Sequence, residues 1–321
     1  MLAIEYSSLP YPVFLRKQTL AHLCEAGRGS NVLVTGDPGV GKSLAISALV
    51  HQPEILKQLM KLRGIQPPDN VYVFEVNCPA LVDPGALISQ RSLQSDGKGT
   101  VTVDEDSRLI KFMMEADAAY REKRNDLYIV VLREFGRITE FNQVQNALLS
   151  LCQRNRGARV PLHEGNSVIH NVSWIFDSNL FSETDMYFST EEEMDSAFLD
   201  RVGVQVRMER FTFGELRVIL KNIVSACHGN KSPHLIDEIT DFAETAVAIA
   251  GNESITLKVP LNSINRLLDM FTRTVNLCER ERESVYLNSV TVGLKSDDYK
   301  VILSRVQEHE FSEETNVSAP F

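Results

Sequence analysis

The residues best suited to chemistry in this 321-residue chain are consecutive: Gly36-Asp37-Pro38-Gly39-Val40-Gly41-Lys42-Ser43. Glycines let the backbone turn its N–H groups inward around an anion, and a helix starting at the end of such a loop adds partial positive charge. Lys42 brings an ammonium and Ser43 a hydroxyl. Residues of these types in this order cradle a polyphosphate: Lys42 reaches the β- and γ-phosphates, and the Ser43 hydroxyl ligates Mg²⁺.

The flanks agree. Asn31-Val32-Leu33-Val34-Thr35 is apolar and β-branched, which predicts a strand. Leu44-Ala45-Ile46-Ser47-Ala48-Leu49-Val50 leads out as a helix, so the order is strand, loop, helix. The nucleotide-contacting set is residues 36–43 with Leu44.

Two further strands could bring groups to this loop. Leu127-Tyr128-Ile129-Val130-Val131-Leu132 ends in Arg133-Glu134-Phe135-Gly136-Arg137. In P-loop ATPases such a strand lies beside the phosphate-loop strand and ends in Asp-Glu, the Asp holding Mg²⁺ through water and the Glu polarising the attacking water. Glu134 fills the second place. Arg133 fills the first, where a guanidinium cannot serve a cation. A one-residue slip recovers no Asp, because Leu132 precedes Arg133. Val172-Ser173-Trp174-Ile175-Phe176 is the other strand. Asp177-Ser178-Asn179 stands at its carboxyl end, where α/β sheets place ligand-contacting groups. Asn179 there orients water or closes an Asx turn.

The remaining elements position these ends. Gln18 to Glu25 reads as a short helix. Val71 to Val76 reads as a buried strand, residues 79–99 as an irregular excursion, and Ser107 to Arg121 as an amphipathic helix. Thr139 to Arg154 is a helix, and residues 156–172 form a hairpin turning at Gly165-Asn166. Asp195 to Arg201 ends a helix before the apolar stretch Val202 to Val206, turning Arg201 outward; capping carbonyls is its alternative role. From Phe211 the strands stop, and amphipathic helices cover Phe213–Ala226, Ile236–Ala250, Leu261–Arg282 and Asp297–Glu308. Arg266 stands early in its helix, where a cation opposes the dipole, so an anion facing it is one reading and plain solvation the other.

The chain is 43% apolar and 24% charged, with net charge −10 and pI about 5.3, an ordinary globular composition. The acidity argues against broad nucleic-acid binding. The five cysteines have no metal-site spacing and read as reduced thiols of a cytoplasmic protein. No apolar run approaches membrane length, and no signal peptide is read.

The ordered set of phosphate loop, Glu134, Asn179, Asp200-Arg201 and Ser263-x-x-Arg266 resembles the AAA+ ATPases, and within them the MoxR group, closest to its CbbQ, NorQ and CobS branch. Leu132-Arg133-Glu134-Phe135-Gly136-Arg137 is similar to a degraded form of that branch's hydrophobic-Asp-Glu-Ile-Asn-Arg. The stretch from Asp177 through Asp185, Tyr187, Thr190, Asp195 and Ala197 to Arg201 is similar to its run ending in Asp-Arg-Phe. The resemblance implies an α/β P-loop fold: a parallel sheet flanked by helices over 1–210, a helical lid over 211–311 and a flexible tail over 312–321. It implies ATP and Mg²⁺ as cofactors. It assigns Glu134 to water activation, Asn179 as first sensor, Arg201 as the finger reaching a neighbouring subunit's γ-phosphate, and Arg266 as second sensor. It implies a ring, commonly a hexamer, of like or mixed subunits, that remodels a partner protein, often one with a von Willebrand A domain.

Three functions stay open at this point: an ATPase that remodels a protein, a nucleotide-binding structural subunit with weak or no turnover because of Arg133, and a nucleic-acid motor using Arg154, Arg156 and Arg159.

Overall fold

The computed structural model describes residues 2–4, 13–37, 39–81, 87, 89–95, 100–137, 146, 148–162, 165–179, 196–228, 233–257 and 260–315. The chain divides into two compact units, one ending at Glu209 and the other running on from Arg210.

In the first unit, α1 (Lys17–Leu23) leads into β1 (Val32–Gly36), followed by α2 (Lys42–Val50) and α3 (Pro53–Leu62). Then come β2 (Val71–Asn77), α4 (Arg108–Arg121), β3 (Leu127–Arg133), β4 (Val172–Ser178), the single turn α5 (Ser196–Leu199) and β5 (Val204–Met208). The five strands form one sheet in the order β5-β1-β4-β3-β2, parallel throughout. A parallel sheet covered by helices on both faces buries its central strands on both sides. Accordingly β1 and β4 are buried along their whole length, and β3 is buried up to Arg133. Beneath them lies an aromatic core in which Phe176 meets Phe198 edge-on and Phe135 at a tilt.

This order corrects two expectations. β3 does not lie beside the phosphate-loop strand, because β4 intervenes. β2 is not a buried strand: it is the sheet's edge, and most of its residues are partly or fully exposed. A third correction concerns residues 79–99. Ser89–Ser95 pairs antiparallel with Thr100–Asp106, so a hairpin occupies much of the predicted irregular excursion. The second hairpin forms as read, Arg159–Pro161 against Ser167–Ile169 with Gly165 at positive φ. Of the helix predicted over Thr139 to Arg154, residues 146 and 148–151 are helical, and 138–145 lie outside the described residues.

Asn31 locks the centre of this unit. It is 2% exposed. Its amide donates to the carbonyls of Arg201 at 2.9 Å and Gln153 at 3.3 Å. Its side-chain oxygen accepts from the Trp174 N–H, and its own carbonyl accepts from Gly203 and Val204. One side chain thus ties the entry of β1 to β4 and to the loop leading into β5.

The second unit is helical: α6 (Phe213–His228), α7 (Pro233–Asn252), α8 (Ile264–Thr274), α9 (Glu279–Thr291) and α10 (Ser296–Thr315). They share a core that includes Leu220, Ile239, Phe271 and Ile302. The single helix predicted over Leu261 to Arg282 is two. α8 ends at Thr274, and a capping box at Cys278 and Glu281 starts α9 afresh. The last helix runs to Thr315, into the stretch read as a tail. Residues 316–321 lie outside the described residues.

Asn31→Ala would remove the partner of one buried N–H and of two part-buried carbonyls. The expected cost is about 2–4 kcal/mol, since each orphaned buried group costs roughly 1–3 kcal/mol. Urea unfolding checks this; an unchanged midpoint would contradict it.

Candidate functional site

The loop after β1 is built by backbone geometry that only glycine tolerates well. Gly36 has φ 147°, and a Cβ there would sit 2.3 Å from the Met208 carbonyl oxygen at the end of β5. Gly39 and Gly41 have φ of 81° and 91°, and Gly41 is the N-cap of α2. Pro38 lies outside the described residues. This turn folds Lys42 back over the loop. Its ammonium donates to the carbonyls of Gly36 at 2.7 Å and Asp37 at 2.9 Å, and the residue is 6% exposed. Val40 is buried and Leu44 half-buried, whereas Gly39 and Ser43 are exposed. An ammonium held on loop carbonyls, next to a helix N-terminus whose first N–H groups have no acceptor within the helix, suits a polyphosphate.

Ser43 is the meeting point of the three central strand ends. Its hydroxyl donates to Asp177 Oδ2 at 2.7 Å. Its carbonyl accepts from Arg133 at 3.0 Å. Arg133 also donates to Ser47 Oγ at 2.8 Å and Glu75 Oε1 at 2.9 Å, which braces α2 against β2. The His51 ring contacts the same Glu75 oxygen at 2.9 Å. The cation that replaces the expected Asp is therefore paired with a carboxylate on the edge strand.

Asp177 is 2% exposed. Burial pushes its carboxyl upward, against the Ser43 hydrogen bond and the charges of Lys42 and Arg133, while Glu134 adds to the rise. Glu134 therefore stands within electrostatic reach of Asp177. It occupies the left-handed region at φ 49°, where a non-glycine residue costs about 1–2 kcal/mol. Buried Phe135 and Gly136 follow it. Cys78, at the end of β2, is held protonated by burial, with Asp177 and Glu134 adding to the effect, and its thiol rises to about 12.

Mg²⁺ fits this arrangement only with help. Among the described residues no three His, Cys, Asp or Glu side chains form a metal-holding group. Mg²⁺ characteristically takes one or two carboxylates, waters and nucleotide phosphates. Ser43 and the carboxylates of Asp177 and Glu134 are the residues that would supply the protein's share of such a shell.

The other predicted residues are placed as follows. Asn179 follows β4 directly and is half-buried. Arg201 lies just past α5 and does not turn outward: its guanidinium donates to the carbonyls of Leu149 at 2.9 Å and Ala197 at 2.6 Å. Arg266 belongs to the second unit. Ser263 caps its helix by accepting from the Arg266 N–H. The side chain donates to the Ser289 carbonyl at 2.8 Å and faces Asp269 at 3.6 Å. The anion opposing that cation is thus one turn along its own helix. Its Nε is buried with no hydrogen-bond partner among the described residues.

Arg154, Arg156 and Arg159 each have a partner of their own. Arg154 lies 3.9 Å from Asp200, and Arg159 bonds Ser167 at 2.6 Å. Arg156 is half-buried and bonds Ser173 at 3.2 Å; it packs so close to Gly29 that a Cβ there would collide with it. Beside Arg156, buried His170 is pushed down to about 4 by desolvation and by that guanidinium. No helix among the described residues is long and apolar enough to cross a membrane.

Sequence pattern places Asp177 at a strand end without a role, and it assigns no role to Glu75. The signal for Glu75 was a lone acid in the apolar run Val71 to Val76, paired with a lone base at Arg133.

Among solved structures, the fold is similar to an Aeropyrum pernix ORC2 protein determined in ADPNP–ADP complexes, at 14% identity and TM-score 0.43 over 92% of this chain and 86% of that one. It is also similar to Caenorhabditis elegans PCH-2, at 13% identity and TM-score 0.41 over 85% of this chain and 66% of that one. No curated protein sequence matches the chain. The family profile "ATPase family associated with various cellular activities (AAA)" matches residues 32–292. That match runs from the first residue of β1 to the end of α9 and takes in most of the chain, which therefore belongs to the AAA ATPase family.

Proposed function

We propose that this chain binds ATP with Mg²⁺ at residues 36–44 and hydrolyses it, working as a ring-forming AAA+ protein of the MoxR type that remodels or activates a partner protein. The observation that carries the reading is the Lys42 ammonium buried on the Gly36 and Asp37 carbonyls, with the Ser43 hydroxyl turned to Asp177. Bound Mg²⁺ supplies charge neutralisation on the phosphates. The chain's own residues do the rest. Lys42 exchanges loop carbonyls for phosphate oxygens. Ser43 offers a hydroxyl oxygen to the cation. Glu134 orients and polarises the attacking water, helped by Asn179. Arg201 serves a neighbouring subunit's nucleotide, and Arg266 serves from the helical unit. Supplying an arginine across an interface stabilises charge that develops in phosphoryl transfer.

The MoxR assignment and the von Willebrand A type of partner rest on the motif resemblance alone. The free cysteines fit a reducing, cytoplasmic setting. A second reading has its own observation. The guanidinium of Arg133 is engaged by Glu75, Ser47 and Ser43 in place of a catalytic carboxylate. On that reading the chain is a nucleotide-binding structural subunit, in which ATP drives assembly without turnover.

Lys42→Ala is expected to weaken labelled-ATP binding by about 3 kcal/mol, roughly a hundredfold, through loss of charge-assisted bonds to phosphate. Unchanged affinity would refute nucleotide binding at this loop. Glu134→Gln is expected to retain ATP and to slow phosphate release by about 10²–10⁴-fold. Equal rates in Glu134→Gln and wild type would remove Glu134 from the mechanism, and ATP-dependent assembly with no turnover in either would favour the structural subunit.

A further inference from the structure

We infer that Asp177, at the end of β4, carries the cation-holding charge that P-loop ATPases place at position 133, where this chain has an arginine. The inference rests on the nucleotide-binding reading above and concerns a residue that motif matching leaves without a role.

The sheet register makes the exchange possible. Phe176 pairs with Leu132 and Asp177 with Val34. One residue further along, Asp177 therefore stands level with Arg133 on the neighbouring strand. Residues level with each other in parallel strands point to the same face, and neighbouring strands lie about 4.8 Å apart. Moving a carboxylate from position 133 to position 177 thus shifts it sideways by about one strand, toward β1 and the loop, and keeps it on the face that carries α2.

The contacts agree. Asp177 already holds the hydroxyl of Ser43, the side chain that a phosphate-bound Mg²⁺ recruits. A hydroxyl that donates its proton to a carboxylate is a better lone-pair donor toward a metal. Burying a carboxylate this deeply is costly unless charge and hydrogen bonds answer it, and Lys42, Arg133 and Ser43 answer it here. Arg133, meanwhile, is paired with Glu75 and holds the carbonyl of Ser43, not its hydroxyl. Cation and anion have effectively changed places between adjacent strand ends, and a negative charge still faces Ser43. On this inference the carboxylate that serves the cation stands on β4 and not on β3.

The test reads metal binding, not turnover. Mn²⁺, followed by its electron paramagnetic resonance signal, is titrated into the protein saturated with a non-hydrolysable ATP analogue, and analogue affinity is measured separately in EDTA. Asp177→Asn keeps the side chain's shape and an oxygen to accept from Ser43. It is expected to lose about 10- to 100-fold in Mn²⁺ affinity, the usual cost of removing an outer-shell partner, with analogue affinity in EDTA unchanged. Wild-type Mn²⁺ affinity in Asp177→Asn would overturn the assignment and leave nucleotide binding standing. An equal loss of analogue affinity in EDTA would overturn it too, because Asp177 would then be shaping the loop. No analogue binding by the wild type would bring down the nucleotide reading and this inference together. Asp177→Ser, with room for a water beside Ser43, carries the same expectation if the amide variant does not fold.

Discussion

The structure depends on β1 being enclosed. Every residue of Val32–Gly36 is buried, with β5 on one side and β4 on the other. A strand in that position cannot shift without moving both neighbours, so its end is a fixed point in an otherwise adaptable surface. The loop that leaves it must climb out within a few residues, past the Met208 carbonyl that crowds Gly36. Enclosure also gathers the carboxyl ends of β1, β3 and β4 on one edge. Asn31 at the opposite end of β1 closes the arrangement by joining the entry of this strand to β4 and to the Arg201 turn.

On that edge the chemistry becomes a problem of charge balance. Two cations, Lys42 and Arg133, and three carboxylates, Asp177, Glu134 and Glu75, gather around Ser43, with Lys42 and Asp177 buried and the others partly exposed. Each contact made there settles part of that balance. Glu75 answers Arg133, and loop carbonyls hold Lys42. Asp177 takes the Ser43 hydroxyl. A nucleotide brings several negative charges and a divalent cation to this setting, so the resting contacts of Lys42 and Ser43 are the ones it would replace. The contacts of Arg133 need not change, because its carboxylate partner lies away from the loop on the edge strand.

Much of this was legible in the sequence where a local pattern has one physical solution. The phosphate loop is such a pattern, because its glycines, lysine and following helix make sense only together. The strand Leu127–Leu132 and the hairpin around Gly165 are others. Of the hairpin of Ser89–Ser95 and Thr100–Asp106, the first strand was missed because it is polar apart from Leu93, whereas the alternation Thr100-Val101-Thr102-Val103 was an available signal. The break at Cys278 was missed because a cysteine is a rare N-cap; the acid at Glu281 was the available signal. β2 reads as buried because its sequence is apolar, yet strand order, which no local pattern encodes, leaves it at the edge. The pairings of Glu75 with Arg133 and of Asp177 with Ser43 were illegible for the same reason: they join residues 58 and 134 positions apart.

The arginines proposed to act on nucleotide raise the last point. A guanidinium that serves a neighbouring subunit must be available at an interface, yet Arg201 holds two carbonyls of its own unit. Arg266 likewise holds the Ser289 carbonyl and faces Asp269 within the helical unit. A phosphate oxygen carries formal negative charge and a carbonyl oxygen only a dipole, so phosphate is the stronger partner for a guanidinium, although the bonds to carbonyls are themselves charge-assisted. To serve a neighbour's nucleotide, Arg201 would have to give up its bonds to the Leu149 and Ala197 carbonyls. Arg266 is held partly by a carboxylate, so freeing it costs more and ties its release to movement of α8 or α9.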